Sequence, residues 1–462
     1  MEREKNQLVS LVNAASCCDA VAAHGCSPQG PCSASMDGGR TEQGYVPTVG
    51  RDAASDISGD SSEEEHGNHA EQLPSILHRN NNNINNEEEL ASLIVKTQEE
   101  GAWPIGHPLP LPTWSAASKQ PYYTATVWQY EELATNIELN VQHLLEEHNY
   151  NTIGNFLQLY QQFKASAADS LEEFFHGYEP PVTAQHHTCV GLALELWCRL
   201  YKLESRFPGL TDCLYLVSCE ECVEALPEYV DMGDHLDVVA DTLEKEHVLL
   251  ALKINVAGRT GVLLCDPGYH VARVVTVMKD RAYPHTGWFT QSEEANICKE
   301  YNYSFSKLNS KYIEWSERET RHGIQKLQTS LVYISRPYLT AVDVTERRNL
   351  VYDFRSLLSR DTKGHLIAGL YFKVKPGEQE VTLFYQNHGR QRVKMRFEMF
   401  LKCTEVSEQN MKIVKECNQQ LNLPENGLMK ILGELAKLMA DSKYVNQLLS
   451  INTNINTITD IN

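Results

Sequence analysis

The hydrophobic period changes once along this chain, and that change limits the folds open to it. Before Pro208-Gly209, apolar residues recur at helical spacing. Tyr130, Leu133, Ile137, Val141 and Leu144 form one stripe, and Ile153, Phe156, Leu157 and Tyr160 form a second. Leu171, Phe174 and Phe175 suggest a short helix before Pro180-Pro181, and Leu192, Leu196, Trp197 and Leu200 mark another that starts near Thr188. After Pro208-Gly209, residues 214–217, 248–254, 262–265, 271–278 and 331–334 read as strands. Residues 350–358 fit helix or strand, and 366–374, 381–385 and 393–397 are strands again. The tail returns to helix through Leu428, Ile431, Leu432, Leu435, Leu438 and Met439. A block of helices followed by a block of strands, with no internal repeat, predicts an α+β fold.

The first 120 residues stand apart. They hold the run Ser61-Ser62-Glu63-Glu64-Glu65 and the asparagines 80–83, and they carry 17 acidic against 7 basic residues. Such a segment buries too little apolar surface to offset its chain entropy, so a disordered acidic and Asn-rich arm is expected over 1–120. Its expected role is that of a solvated spacer, with docking of a protein partner as the alternative. The remainder is expected to divide into a helical subdomain over 121–208, a β-rich subdomain over 209–335, an α/β segment over 336–402 and a helical tail over 403–462. The full chain of 462 residues has a net charge of −20, which disfavours nucleic acid, because phosphate contacts need Lys and Arg. No apolar run approaches the ~20 residues that span a bilayer, so no membrane partner is expected. The first residues lack a signal-peptide apolar core, and 13 irregularly spaced cysteines then read as reduced thiols. The expected compartment is the cytoplasm, with the nucleus as alternative.

Three residues carry the chemistry: Cys189, His247 and Asp266. Thr188 can cap a helix whose first turn holds Cys189, and the positive end of that helix favours the thiolate. The preceding Gln185-His186-His187-Thr188 offers polar groups for an oxyanion. His247 and Asp266 flank two apolar strands with Asn255-Val256-Ala257-Gly258 between them. A four-residue loop there sets Ile254 opposite Arg259 and, further along, His247 opposite Asp266. A carboxylate so placed fixes the imidazole tautomer and stabilises the imidazolium, which leaves the other ring nitrogen for a thiol.

Over residues 121–400 the sequence resembles the arylamine N-acetyltransferase superfamily. Thr188-Cys189 opens an apolar helix. His247-Val248-Leu249-Leu250-Ala251-Leu252 is similar to the family's His-x-x-Leu-x-Val strand, and Asp266-Pro267-Gly268-Tyr269 to its Asp-Val-Gly-Phe. The resemblance implies a cysteine-protease-like fold of helical bundle, β-barrel and α/β lid, with Cys189 as nucleophile, His247 as base and Asp266 as orienting acid. It also implies acetyl-CoA as co-substrate, with no permanently bound cofactor, and an amine acceptor, small molecule or protein, that takes the acetyl group from a Cys189 thioester. The family's Arg-Gly-Gly before the cysteine is Gln-His-His here, and its Glu two residues after the cysteine is Gly191. Two other readings stand beside the acyltransferase: a catalytically inactive module of this fold that works through protein–protein contacts, and a Cys-dependent hydrolase or transglutaminase.

Other features carry less. His186, His187, His235 and His270 lack metal-ligand spacing, and Cys219-Glu220-Glu221-Cys222 is half of a zinc motif, so no metal is expected. Arg390, Arg392, Lys394 and Arg396 alternate on one strand face, as on a charged edge strand. Residues 283–289 form an aromatic loop. The stripe from Leu428 to Met439 suits packing on the domain.

Overall fold

The computed structural model describes residues 103–232, 245–294, 297–377, 379–402 and 406–459. All but the end of the expected arm lies outside the described residues. That end, 103–120, departs from the expectation: it is packed onto the fold. Leu109 is buried in the core built by Phe175 and Tyr178. Trp114 bridges to Tyr338, meets the Tyr333 ring edge-on, and donates from Nε1 to Ser218 Oγ at 3.1 Å. A few large side chains anchor this Pro-rich segment.

Helix α1 (Val127–Glu147) starts at a capping box in which Thr126 and Gln129 satisfy each other's backbone N–H groups. Tyr130, Leu133, Ile137, Val141 and Leu144 form its buried face. Helices α2 (Ile153–Ala165) and α3 (Leu171–His176) follow. In α2 the buried apolar residues are Ile153, Phe156, Leu159 and Phe163, with Leu157 and Tyr160 at the margin. Helix α4 (Cys189–Tyr201) is buried from Cys189 to Cys198, and its one acid, Glu195, is paired with Arg199 at 2.9 Å. A helix buried on nearly every side must be central: α4 lies between α1 and the sheet.

Strands β1 (Tyr122–Thr124) and β3 to β10 form a nine-stranded sheet in the order β6-β5-β4-β3-β10-β9-β8-β7, with β1 parallel to β4 and the other pairs antiparallel. The sheet curls into a half-barrel. The barrel implied by the family resemblance is therefore open, with β6 (Val275–Met278) and β7 (Phe289–Glu294) as its ends. Strands β3 (Leu214–Glu220) and β4 (His247–Val256) are the hinge of the architecture. Leu214, Leu216, Leu250, Leu252 and Ile254 join the helical core around α4, whereas Tyr215, Val217, Cys219, Leu249 and Ala251 face the half-barrel interior. Burial on both faces explains why these strands read as unbroken apolar runs.

Strand β8 (Ile297–Phe305), strand β9 (Tyr312–Arg321) and most of β10 (Ile324–Tyr333) fall outside the strand segments expected from sequence, and the strand expected over 271–278 is confined to β6. Residues 350–358 divide between helix and strand: helix α7 (Arg347–Val351) precedes β11 (Phe354–Arg360). Two short helices, α5 (Leu210–Cys213) and α6 (Leu226–Met232), flank β3.

The segment 336–402 builds a second sheet, β14-β13-β12-β11-β2, in which β12 is Leu366–Lys373 and β13 is Glu380–Gln386, completed by β2 (Tyr150–Asn151) from the helical region. Helices α8 (Glu408–Gln420), α9 (Gly427–Ala440) and α10 (Ser442–Thr459) share one core with this sheet and with α2, so the Leu428–Met439 stripe packs inward. The basic strand β14 (Arg390–Arg396) is the free edge of the second sheet.

Candidate active site

Cys189 is the first residue of α4, and it is 3% exposed. Its helix start differs from expectation. The Thr188 side chain does not cap α4; its hydroxyl donates to Glu346 Oε2 instead. The first-turn N–H groups of α4 therefore keep their partial positive charge unneutralised beside the thiol.

His247 opens β4, where β3 pairs Cys219 opposite it. The β4–β5 hairpin has a different register from the one expected. Its turn is Ala257-Gly258 alone, with φ of 50° and 84°. Two residues of positive φ make the tight turn whose twist matches a β-ribbon. Asn255 and Val256 thus belong to the ladder, opposite Thr260 and Arg259, and the ladder ends at Leu250 opposite Cys265.

Asp266 consequently lies beyond β5 (Arg259–Cys265), in a turn that folds back on itself. The Tyr269 N–H donates to Asp266 Oδ1 at 3.0 Å, and the Val271 N–H to the Asp266 carbonyl at 3.1 Å. From that turn Asp266 Oδ1 meets His247 Nε2 at 2.9 Å, with both residues buried. The contact anticipated across strands is made diagonally, from strand to turn.

With Nε2 committed to Asp266, Nδ1 is the nitrogen left for the thiol, and Cys189 is close enough to favour the protonated ring. Burial disfavours the imidazolium. The Asp266 charge and hydrogen bond, joined by the interaction with Cys189, outweigh it and hold His247 well above its ordinary 6.5. Gly268 closes the group. A Cβ at this position would stand 2.8 Å from both Cys189 Cβ and His247 Cε1. Only glycine lets the turn come this near, so the family-like Asp-Pro-Gly-Tyr stretch has a steric reason for its third residue. Tyr269 sets its ring edge-on to His247 at 4.5 Å.

The residues 185–188 do not bring side-chain polar groups to the thiol as expected. The His186 ring packs on Gly154, and the His187 ring on His148 and Gly191. Burial, together with the cations of Arg199 and Arg360 and the neighbouring histidines, pushes His187 well below the ordinary histidine value. The hydrogen bond that does reach Cys189 Sγ comes from Asn349 Nδ2, at 3.8 Å.

Three residues with no local sequence signal support this geometry. Arg360 is buried on β11 and donates to the Pro267 carbonyl at 2.7 Å and the His148 carbonyl at 2.9 Å, pinning the Asp266 turn to the helical region. Burial lowers its guanidinium to about 9. Glu346 ends a π-helical turn (Ala341–Glu346) and accepts from Thr188 and Asn155. Burial raises its carboxyl to about 7. Asn349 follows on α7. A buried thiol beside a carboxylate-backed imidazole at a helix N-terminus can form a thiolate–imidazolium pair and attack an electrophilic carbon. No family model, curated protein or solved structure matches this chain.

Proposed function

We propose that the protein is a cysteine-dependent acyltransferase of the arylamine N-acetyltransferase type. The observation that carries this reading is the single imidazole held between the Asp266 carboxylate and the Cys189 thiol. The Cys189 thiolate attacks the carbonyl carbon of an acyl-CoA, and a C–S bond forms as the carbonyl π pair moves onto oxygen. When that pair returns, the CoA thiolate leaves and takes the proton from His247. An amine acceptor then attacks the Cys189 thioester, gives its proton to His247, and departs as the amide while Cys189 returns to thiolate. Asp266 keeps the ring oriented and its cation stabilised throughout. The order helix-borne cysteine, sheet-borne histidine, turn-borne aspartate supports the family resemblance over 121–400, and CoA is its donor.

The burial of Cys189 to 3% favours one second reading, a catalytically silent module whose closed site serves the fold. Two reagents separate the possibilities. Incubation with acetyl-CoA is expected to leave an acetyl adduct on Cys189, located by peptide mass spectrometry and released by hydroxylamine. Substoichiometric iodoacetamide is expected to label Cys189 ahead of the other folded thiols. Alkylation of Cys189 without an acyl adduct would point to a hydrolase or transglutaminase. Uniform labelling of the folded thiols would support the silent module.

A further inference from the structure

Glu346 and Asn349 are three residues apart across the junction of the π-helical turn and α7, so they project from the same side. They address consecutive residues of the nucleophile helix: Glu346 takes the Thr188 hydroxyl, and Asn349 Nδ2 points at Cys189 Sγ. The Asn349 backbone is fixed as well. The buried Arg355 donates to its carbonyl at 2.5 Å and to the Thr152 carbonyl at 3.3 Å, with its guanidinium over the Phe156 ring at 4.2 Å. Of the residues grouped around the thiol, Thr188, His247, Asp266, Gly268 and Tyr269 are buried and Asn349 is partly exposed. A carbonyl compound approaching Sγ from solvent therefore passes the Asn349 amide.

We propose that Asn349 is a further catalytic residue, whose Nδ2 donates to the oxyanion formed when the Cys189 thiolate attacks an acyl carbon. The assignment rests on the acyl-transfer reading above. In the tetrahedral intermediate the acyl oxygen is two bonds from Sγ, well inside the 3.8 Å that separates Sγ from Nδ2. An amide that hydrogen-bonds weakly to the sulfur in the resting site is thus placed to bond more closely to that oxygen once charge moves onto it. The backbone N–H groups of the α4 first turn, which no side chain caps, are the companion donors. The Glu346–Thr188 contact keeps them free and holds α7 against the start of α4.

The test compares two reactions of the same thiol. Acylation by p-nitrophenyl acetate passes through an oxyanion, whereas alkylation by iodoacetamide is a direct displacement that forms none. Both rates are measured at Cys189 by mass spectrometry, at one and the same pH, so that the thiolate fraction is common to the two reactions. Asn349→Ala is expected to slow acylation about 10²–10³-fold and to leave alkylation essentially unchanged. Asn349→Asp, nearly isosteric, keeps the packing, replaces the donor by a carboxylate, and should slow acylation at least as much. Asn349→Gln restores an amide and should recover part of the rate. Equal slowing of both reactions, or no slowing of acylation in Asn349→Ala and Asn349→Asp, overturns the assignment and leaves the acyl-transfer reading intact. A wild-type Cys189 that iodoacetamide alkylates but the ester does not acylate overturns both.

Discussion

His247 Nε2 and Asp266 Oδ1 lie 2.9 Å apart with neither residue exposed, although Asp266 is off the end of the strand that carries it to that point. The imidazole is thereby bonded on one side to a carboxylate. Its protonated form survives burial because of that charge. Asp266→Asn keeps the shape and removes the charge. The His247 ring, followed by NMR of labelled histidine, is expected to titrate well above 6.5 in the wild type and to fall toward or below it in the variant. Alkylation of Cys189 at neutral pH should slow by about tenfold or more, since one unit of lost stabilisation is a factor of ten. The sign for stability follows. The raised His247 value contributes stability that is fully present below about pH 6.5 and is lost as the pH climbs through the folded-state value. An alkylation–pH profile of Asp266→Asn that overlays the wild type would reduce the pair to a packing contact.

Glu346 gives a second pH effect. Its carboxyl rises from 4.5 to about 7 on burial, so the folded state binds this proton more tightly than the unfolded chain does. The resulting stability is complete below about pH 4.5 and disappears as pH rises through 7, a loss of about 3 kcal/mol by pH 8. Glu346→Gln stays neutral and keeps a carbonyl to accept from Thr188 and Asn155. Urea denaturation between pH 5 and 8 should show the Glu346→Gln variant with a flatter stability profile than the wild type, and more stable at the alkaline end. Parallel profiles would show that Glu346 does not titrate in this range.

Gly268→Ala is a steric probe of the site. The added methyl would stand 2.8 Å from Cys189 Cβ and His247 Cε1. Relief requires the turn to move away, at about 1–3 kcal/mol for an overpacked core position. We expect a lowered melting temperature, an intact far-UV spectrum and the loss of preferential Cys189 alkylation. An alanine variant that is as stable and as reactive as the wild type would show that the turn is not in close contact with the thiol.

The chain exposes its site in sequence more fully than its sheet. Cys189 at a helix start, followed by a histidine and an aspartate around a hairpin, was legible because each has a local cue. The hairpin register differs by two positions from the one its sequence suggests, since Ala257 and Gly258 adopt positive φ and pull Asn255 and Val256 into the ladder. A two-residue error preserves the face on which a side chain projects, whereas an error of one would have turned Asp266 away. Strand β8 was hidden for another reason. Its inward set is Ile297, Lys299, Tyr301 and Tyr303, and the lysine breaks the apolar alternation. Lys299 is tolerated there because Glu317 on β9 meets it at 3.0 Å. No single strand reveals a pair of that kind. Glu346 and Asn349 were illegible, as they reach Thr188 and Cys189 across more than 150 residues of chain. Trp114 and Leu109 are masked by the prolines among them, which give neither a helical nor a strand period, and by the polar hundred residues before them.

Strand β4 serves the helical core with one face and the half-barrel with the other. No stretch of the chain therefore contains a complete precursor of the site. Severing the backbone at Gly209 would leave Cys189 on a fragment without a sheet, and His247, Asp266 and Asn349 on a fragment whose central strand has lost half its cover. Reassociation of the two fragments would have to restore both layers at once. Thiol reactivity in such a reconstituted pair would report tertiary docking itself, so nucleophile and fold would emerge as a single cooperative event.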